Sequence, residues 1–305
     1  MKRFRISTLV AVLVVFALLL SGCQYVDKLK ARDQLNKGVK SFRGKQYNQA
    51  IEFFTKALEM DPELNIVYEY LGMAYMKQYI PGQEEIAAKA ILAFQKALEK
   101  DPKNVNALLR LARAYYTTGK LDDAAQCYQQ IHSEIDPQNP MPLFGIGLIK
   151  WDEAKNVIGD NGQRAEMLFD EVNKAKEEVD AKQKEITQLQ RQMDRARTDE
   201  RRQELQSEIE QIQMDIQARE EIIRQPQMIM KTVDEAIAAL EQSNELKEDY
   251  MTVRYLSLCY FQKAALTDDE EAKTEFRKKA SRLAIKELQL KKQQEEQEGE
   301  SDQMF

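Results

Sequence analysis

The sequence predicts an all-α fold of stacked helix pairs interrupted by a long helical hairpin, and three observations carry that expectation. A small residue, an aromatic, another small or apolar residue and a proline recur as Ala50, Phe54, Ala57, Pro62, then Ala90, Phe94, Ala97, Pro102, then Ala124, Tyr128, Ile131, Pro137. Upstream of each set lies a matching apolar stretch centred on a small residue: Gly38, Gly72 and Ala112. A unit repeated in this way marks a stacked helical array. Glycine and proline are scarce, 11 and 7 in 305 residues, and no stretch alternates with period two. Strand-rich folds need turn residues at every roughly 8–12 positions, so strands are not expected. Finally, apolar residues after residue 163 recur at alternating spacings of four and three, the seam of a heptad.

The N-terminus reads as a targeting segment. Lys2, Arg3 and Arg5 form a basic head, and the apolar run from Leu9 to Leu20 has signal-region length, too short for a comfortable membrane span. It ends in Leu20-Ser21-Gly22-Cys23, which resembles a bacterial lipobox, and that resemblance implies lipidation of Cys23 after cleavage. Several acyl chains anchor firmly, at about 0.8 kcal/mol per buried methylene. Gln24 after the cysteine implies the periplasmic face of the outer membrane by the sorting rule of Gram-negative bacteria. Residues 1–23 are thus expected to be a signal peptide and lipobox, and 24–30 a short linker.

The first repeat spans 31–64. Leu35, Gly38 and Phe42 lie on its first helix, Gly44 marks the turn, and Tyr47 to Met60 is its second helix. Gly38 lets the second helix approach, Phe54 fills the space between repeats, and Pro62 stops the helix because it cannot continue the hydrogen-bond ladder. The second repeat, 65–104, carries Tyr68, Leu71, Gly72 and Tyr75. Six extra residues around Tyr79-Ile80-Pro81-Gly82 lengthen its turn at little entropic cost. The third, 105–138, carries Leu108, Leu111, Ala112 and Tyr115, with Gly119 at its turn.

The fourth repeat is split. Leu143, Ile146 and Gly147 begin a first helix that ends near Trp151 and breaks at Gly159-Asp160-Asn161-Gly162. Its second-helix pattern returns only at Ala236, Leu240 and Ser243; a competing register uses Ala165, Phe169 and Val172. A fifth repeat carries Val253, Leu256, Ser257 and Tyr260, then Ala272, Phe276 and Ala280.

Between the halves, residues 163–228 carry two seams. One runs through Leu168, Val172, Ala175, Val179, Lys182, Ile186, Leu189, Met193 and Ala196, the other through Leu205, Ile209, Ile212, Ile216, Arg219 and Ile223. They are out of phase across residues 197–204, so one straight helix cannot present both to one partner. An antiparallel coiled-coil hairpin bending near Thr198-Asp199 satisfies both, with Leu168 expected opposite Ile223. Arms of about 28 residues would project roughly 40 Å at 1.5 Å per residue. The Gln-, Glu- and Lys-rich end, 291–305, is expected to fray into disorder.

The three clear sets resemble the tetratricopeptide repeat, a helix-turn-helix unit. The resemblance implies a superhelix of about five repeats whose first helices line a concave groove for an extended peptide or partner helix. Carried over position by position, the wall comprises Leu35, Val39 and Phe42; Glu69, Met73 and Met76; Leu109, Arg113 and Tyr116; Phe144, Leu148 and Trp151; and Arg254, Leu258 and Phe261. Phe42, Met73, Met76, Tyr116, Phe144, Trp151 and Phe261 are the expected partner-contacting residues. The set of lysines, asparagines and an arginine that clamps a C-terminal carboxylate in one subfamily is missing.

Little points to catalysis. His132 is the single histidine, Cys127 and Cys259 have no metal-ligand spacing, and Asp268-Asp269-Glu270-Glu271 lacks the spacing of a calcium loop. Gly38 to Lys45 has one residue too many for a phosphate loop, and Gln46 stands where Ser or Thr is needed. No catalytic residue, metal, cofactor or small-molecule substrate is therefore expected. A formal net charge of −6, more negative once the basic head is cleaved, is a poor match for phosphate backbones and speaks against nucleic acid. Two classes remain: a lipid-anchored, non-enzymatic scaffold or adaptor for a protein of the cell envelope, or a structural protein that oligomerises through its coiled coil.

Overall fold

A computed structural model describes residues 25–303, and no strand occurs among them. The signal segment and Cys23 lie outside the described residues. The chain divides into two compact units, one ending at Pro137 and the other starting at Gln138.

The first unit contains α1 (25–43), α2 (Tyr47–Met60), α3 (Asn65–Gln78), α4 (Glu84–Lys100), α5 (Val105–Thr117) and α6 (Leu121–Gln130), which ends in a π turn, Ile131–Ile135. The repeat spacing explains the packing. On α2, Ala50, Phe54 and Ala57 recur at four and three, share one face and are buried. A Cβ on Gly38 would stand 2.4 Å from the Phe54 ring, and one on Gly72 2.7 Å from the Phe94 ring. Only a residue without a side chain allows these helix pairs to close. Asn104 caps α5 by accepting from the Ala107 amide at 3.0 Å. Asp122 and Asp123 in the first turn of α6 complement its dipole.

Two expectations need correction here. The stretch expected as a linker, 24–30, is helical from residue 25, and Ala31 is fully buried. Nothing between Val26 and Lys37 breaks a helix, and Asp27 pairs with Lys30 at 3.9 Å. The six extra residues of the second repeat do not all lengthen its turn. α4 starts six residues before Ala90, whereas α2 starts three before Ala50, so part of the insertion extends the helix. Glu84 and Glu85 at its N-terminus, with the Glu85–Lys89 pair, favour that extension.

The second unit contains α7 (Pro140–Ile158), α8 (Ala165–Arg195), α9 (Asp199–Leu246), α10 (Tyr250–Ala265) and α11 (Glu270–Gln303). α9 has two roles. Its last third packs on α7: a Cβ on Gly147 would stand 2.5 Å from Leu240, and the Ser243 hydroxyl donates to the Pro140 carbonyl at 2.9 Å. It is α9, not the Ala165–Val172 stretch of α8, that meets Gly147.

Its first part runs antiparallel to α8. Lys182 bonds Asp215 at 2.8 Å and Arg219 bonds Glu178 at 2.7 Å, so both cations of the apolar seams are paired across the arms. Val179, Leu189, Leu205, Ile209, Ile212 and Ile216 are buried between them. The chain reverses over residues 196–198, with the Thr198 hydroxyl accepting from the Arg201 amide and Arg202 donating to the Ala196 carbonyl. These pairings set Leu168 level with Ile229, not Ile223 as expected, and both belong to the same buried cluster. The register differs because the helix continues to Arg195 before turning and the two ion pairs fix which residues face each other.

α11 continues to Gln303, and Lys291–Glu295 and Lys292–Glu296 are spaced four apart along it. A run of Gln, Glu and Lys has high helix propensity, and such pairs add roughly 0.2–0.5 kcal/mol each.

Candidate partner-binding surface

In the first unit, helices α1, α3 and α5 bring four of the expected wall residues together, Phe42, Met73, Met76 and Arg113. Phe42, Met73 and Met76 line a cleft of about 390 Å³ with Lys77, Phe94, Arg110, Arg113, Ala114 and Thr117. The spacing explains the convergence. Met73, Met76 and Lys77 share one face of α3, and Arg110, Arg113, Ala114 and Thr117 share one face of α5. Phe94 is fixed beneath them by its contact with Gly72. Phe42 packs edge-on against Tyr47 and Tyr70, with centroids 5.5 and 6.3 Å apart.

The electrostatics of this cleft are basic. Arg110 pairs with the largely buried Glu69 at 3.4 Å and also donates to the Met73 sulfur. Lys77 and Arg113 are exposed and make no ion pair among the described residues. Sequence reasoning placed Met73 and Arg113 on the wall but passed over Lys77 and Arg110. The signal was present: Lys77 stands four residues after Met73, and Arg110 three before Arg113. Tyr116 is half-buried and does not line the cleft.

In the second unit Trp151 is buried in the core, Phe144, Leu148, Leu258 and Phe261 are half-buried against it, and Arg254 stays exposed. Trp151 is 6% exposed, its ring 4.9 Å edge-on from Tyr255, its indole nitrogen donating to the Asp160 carbonyl at 3.3 Å, and Lys155 4.7 Å over its face. Phe144 meets the other side of Tyr255 at 5.8 Å, and Phe261 packs half-buried on the same cluster. Tyr255 of α10 occupies the face of α7 where a ligand was expected, so Trp151, Phe144 and Phe261 form no open wall.

Neither described thiol is poised for chemistry. Burial pushes Cys127 up to about 11 and raises Cys259 further. Tyr128 is likewise pushed up to about 12 by burial. The Nδ1 atom of His132 is buried without a hydrogen-bond partner. Among the described residues no cluster of three His, Cys, Asp or Glu side chains could hold a metal. No described helix is long and apolar enough to cross a membrane.

Residues 35–64 and 83–140 each match a tetratricopeptide repeat family. Among curated proteins, the chain is 30% identical over 124 residues to small glutamine-rich tetratricopeptide repeat-containing protein 2 of Mycosarcoma maydis, covering 41% of this chain and 33% of that protein. It is 31% identical over 107 residues to the human mitochondrial import receptor subunit TOM70, covering 33% of this chain and 16% of that one. The chain thus spans a third or less of the length of these relatives. Among solved structures, that of the MamA protein aligns with a TM-score of 0.48 at 15% identity, covering 85% of this chain and 94% of that one. Proteins of this repeat class mediate protein–protein interactions. On these segment matches and on the helix-pair packing around Gly38 and Gly72, residues 35–64 and 83–140 are similar to tetratricopeptide repeats.

Proposed function

We propose that the protein is a non-enzymatic adaptor, anchored by lipid at Cys23 in the bacterial cell envelope, that captures a protein segment in the cleft of α1, α3 and α5. The observation that carries this reading is the chemistry of that cleft: Phe42, Met73 and Met76 beside Lys77 and Arg113, neither of which has an acidic partner among the described residues. Methionines adapt to varied apolar side chains, and cations at the rim steer acidic partners and fix their register. The partner is therefore an extended or helical segment that presents an apolar residue flanked by Asp or Glu. The basic head, short apolar run and Leu20–Cys23 box support the anchor, and Gln24 supports the periplasmic face of the outer membrane.

The alternative, oligomerisation through the paired helices α8 and α9, has less support. Their seam residues Val179, Leu189, Leu205, Ile209, Ile212 and Ile216 are buried against each other within one chain.

A photo-crosslinking residue placed at Met76 in living cells tests the cleft, with the exposed Leu92 as control. The reading expects an adduct with an acidic segment of an envelope protein at Met76 and none at Leu92. No adduct at Met76, or the same adducts at both positions, contradicts it. The anchor is tested separately: Cys23→Ser should leave the carbonate-washed membrane pellet, and retention there contradicts lipidation.

A further inference from the structure

Helix α1 carries a second face that its own repeat does not use. At about 100° per residue, Ala31, Gly38 and Ser41 lie on the side that packs into the fold, and all three are buried. Tyr25, Leu29, Arg32, Lys40 and Arg43 lie on the opposite side, with Val26 and Lys28 at its edges, and all seven are exposed. The apolar residues of this outward face are gathered at one end: Tyr25 is 68% exposed, Val26 46% and Leu29 51%. Beyond Leu29 the centre of this face carries Arg32, Asn36, Lys40 and Arg43, with Asp33 and the half-buried Val39 towards its two edges.

The charge of α1 runs against that of the whole molecule. Six cations, Lys28, Lys30, Arg32, Lys37, Lys40 and Arg43, stand against Asp27 and Asp33, in a chain of net charge −6. Asp27 pairs with Lys30 and Asp33 with Lys37. The other four cations make no ion pair among the described residues, and three of them sit on the outward face. Only Gln24 stands between Cys23 and the first described helical residue, Tyr25, so a lipid on that cysteine would hold this end of α1 within a few ångströms of the headgroups.

We infer that the outward face of α1 is a membrane-contact surface for an anionic lipid bilayer, with Tyr25, Val26 and Leu29 entering the headgroup–acyl boundary and Arg32, Lys40 and Arg43 meeting lipid phosphates. The inference rests on the lipid-anchor reading above. Tyrosine with a polar tip suits that boundary, and apolar residues inserted beside basic ones are the composition of an interfacial helix. Such a contact would hold the base of the cleft at the bilayer, because α1 is the same helix whose Phe42 lines the cleft.

The experiment uses full-length protein reconstituted in phosphatidylethanolamine vesicles with phosphatidylglycerol, carrying Tyr25→Trp as the probe. Native Trp151 is nearly closed to solvent and supplies a constant background. The expected result is a blue-shifted emission quenched by brominated acyl chains. A control probe on α4, Gln95→Trp, should instead be quenched by acrylamide and not by the brominated lipid. Adding Arg32→Glu with Arg43→Glu to the Tyr25→Trp protein should lower the brominated-lipid quenching at least about fivefold, as expected when charges near an anionic surface are reversed. Mass analysis of the N-terminal peptide separates the two readings. Acylated Cys23 with a Tyr25→Trp probe open to acrylamide overturns the α1 contact and leaves the anchor standing. An unacylated Cys23 overturns both. A blue shift that needs envelope proteins and fails with lipid alone assigns the face to a protein and also overturns the inference.

Discussion

In residues 25–137 each first helix meets a second helix that follows it directly, whereas in residues 138–303 α7 closes on the far end of α9, and Ser243 bonds Pro140 across 103 residues of sequence. The packing device is the same in both. A missing side chain at Gly38, Gly72 or Gly147 admits Phe54, Phe94 or Leu240. Repeats stack through nearest-neighbour contacts, so a long excursion within one repeat is tolerated provided that its ends return together. The two regions differ in what their wall aromatics do. Phe42 lines an open basic cleft in the first, while Trp151 is sealed by Tyr255 in the second. Position within a repeat therefore does not by itself decide whether a side chain is left open or covered; for Trp151 the covering residue, Tyr255, comes from the next repeat.

The largest effect should come from the sealed tryptophan. Trp151→Ala removes a buried ring and its bond to Asp160, and should destabilise residues 138–303 by roughly 3–5 kcal/mol, read from chemical denaturation. A change below about 1 kcal/mol would return Trp151 to the partner surface, since surface substitutions fall in that range. Next, Gly147→Val should cost about 1–3 kcal/mol by driving a side chain into Leu240 and Ala236, with the loss seen in the same transition. An unchanged transition would mean that α7 and α9 do not pack as described.

A third comparison uses the two thiols. Cys259 is fully buried and Cys127 is 9% exposed, and burial raises the pKa of both. A thiol reagent at pH 8 should leave both unmodified in the folded protein, then label Cys127 first as denaturant is added. Simultaneous labelling would show that the two regions unfold as one. The smallest effect concerns the hairpin. The hydrogen bond from Lys182 holds the Asp215 carboxyl below its usual range. Its folded pKa thus lies below the unfolded value, and the contribution is present above about pH 4 and lost as pH falls through the folded value. Asp215→Asn should flatten that acid-side dependence of the helical signal slightly; an identical profile would show that the pair contributes nothing.

Much of the fold was legible because its signals are local. Gly38, Phe54, Ala57 and Pro62 fix a helix pair within one repeat, and the seams through Leu168 and Leu205 require two arms. The register of those arms was not legible, because Lys182–Asp215 and Glu178–Arg219 become partners only once the turn at 196–198 is known. The start of α1 was hidden because polar, charged residues next to a targeting segment look like a tether, yet Ala31 is buried against the repeat. Within the candidate site, Met73 and Met76 followed from repeat position. The burial of Trp151 did not, since Tyr255, the residue that covers it, lies beyond the whole hairpin.

The central claim is that recognition belongs to the basic cleft of residues 25–137 and not to the sealed aromatics of residues 138–303. It is tested most directly by titrating the segment cross-linked at Met76, as a fluorescent peptide, into the wild type, Lys77→Glu with Arg113→Glu, and Trp151→Phe. The account predicts that charge reversal weakens binding at least about tenfold, while Trp151→Phe binds as the wild type does. Binding that survives the charge reversal but is lost in a folded Trp151→Phe protein would contradict it.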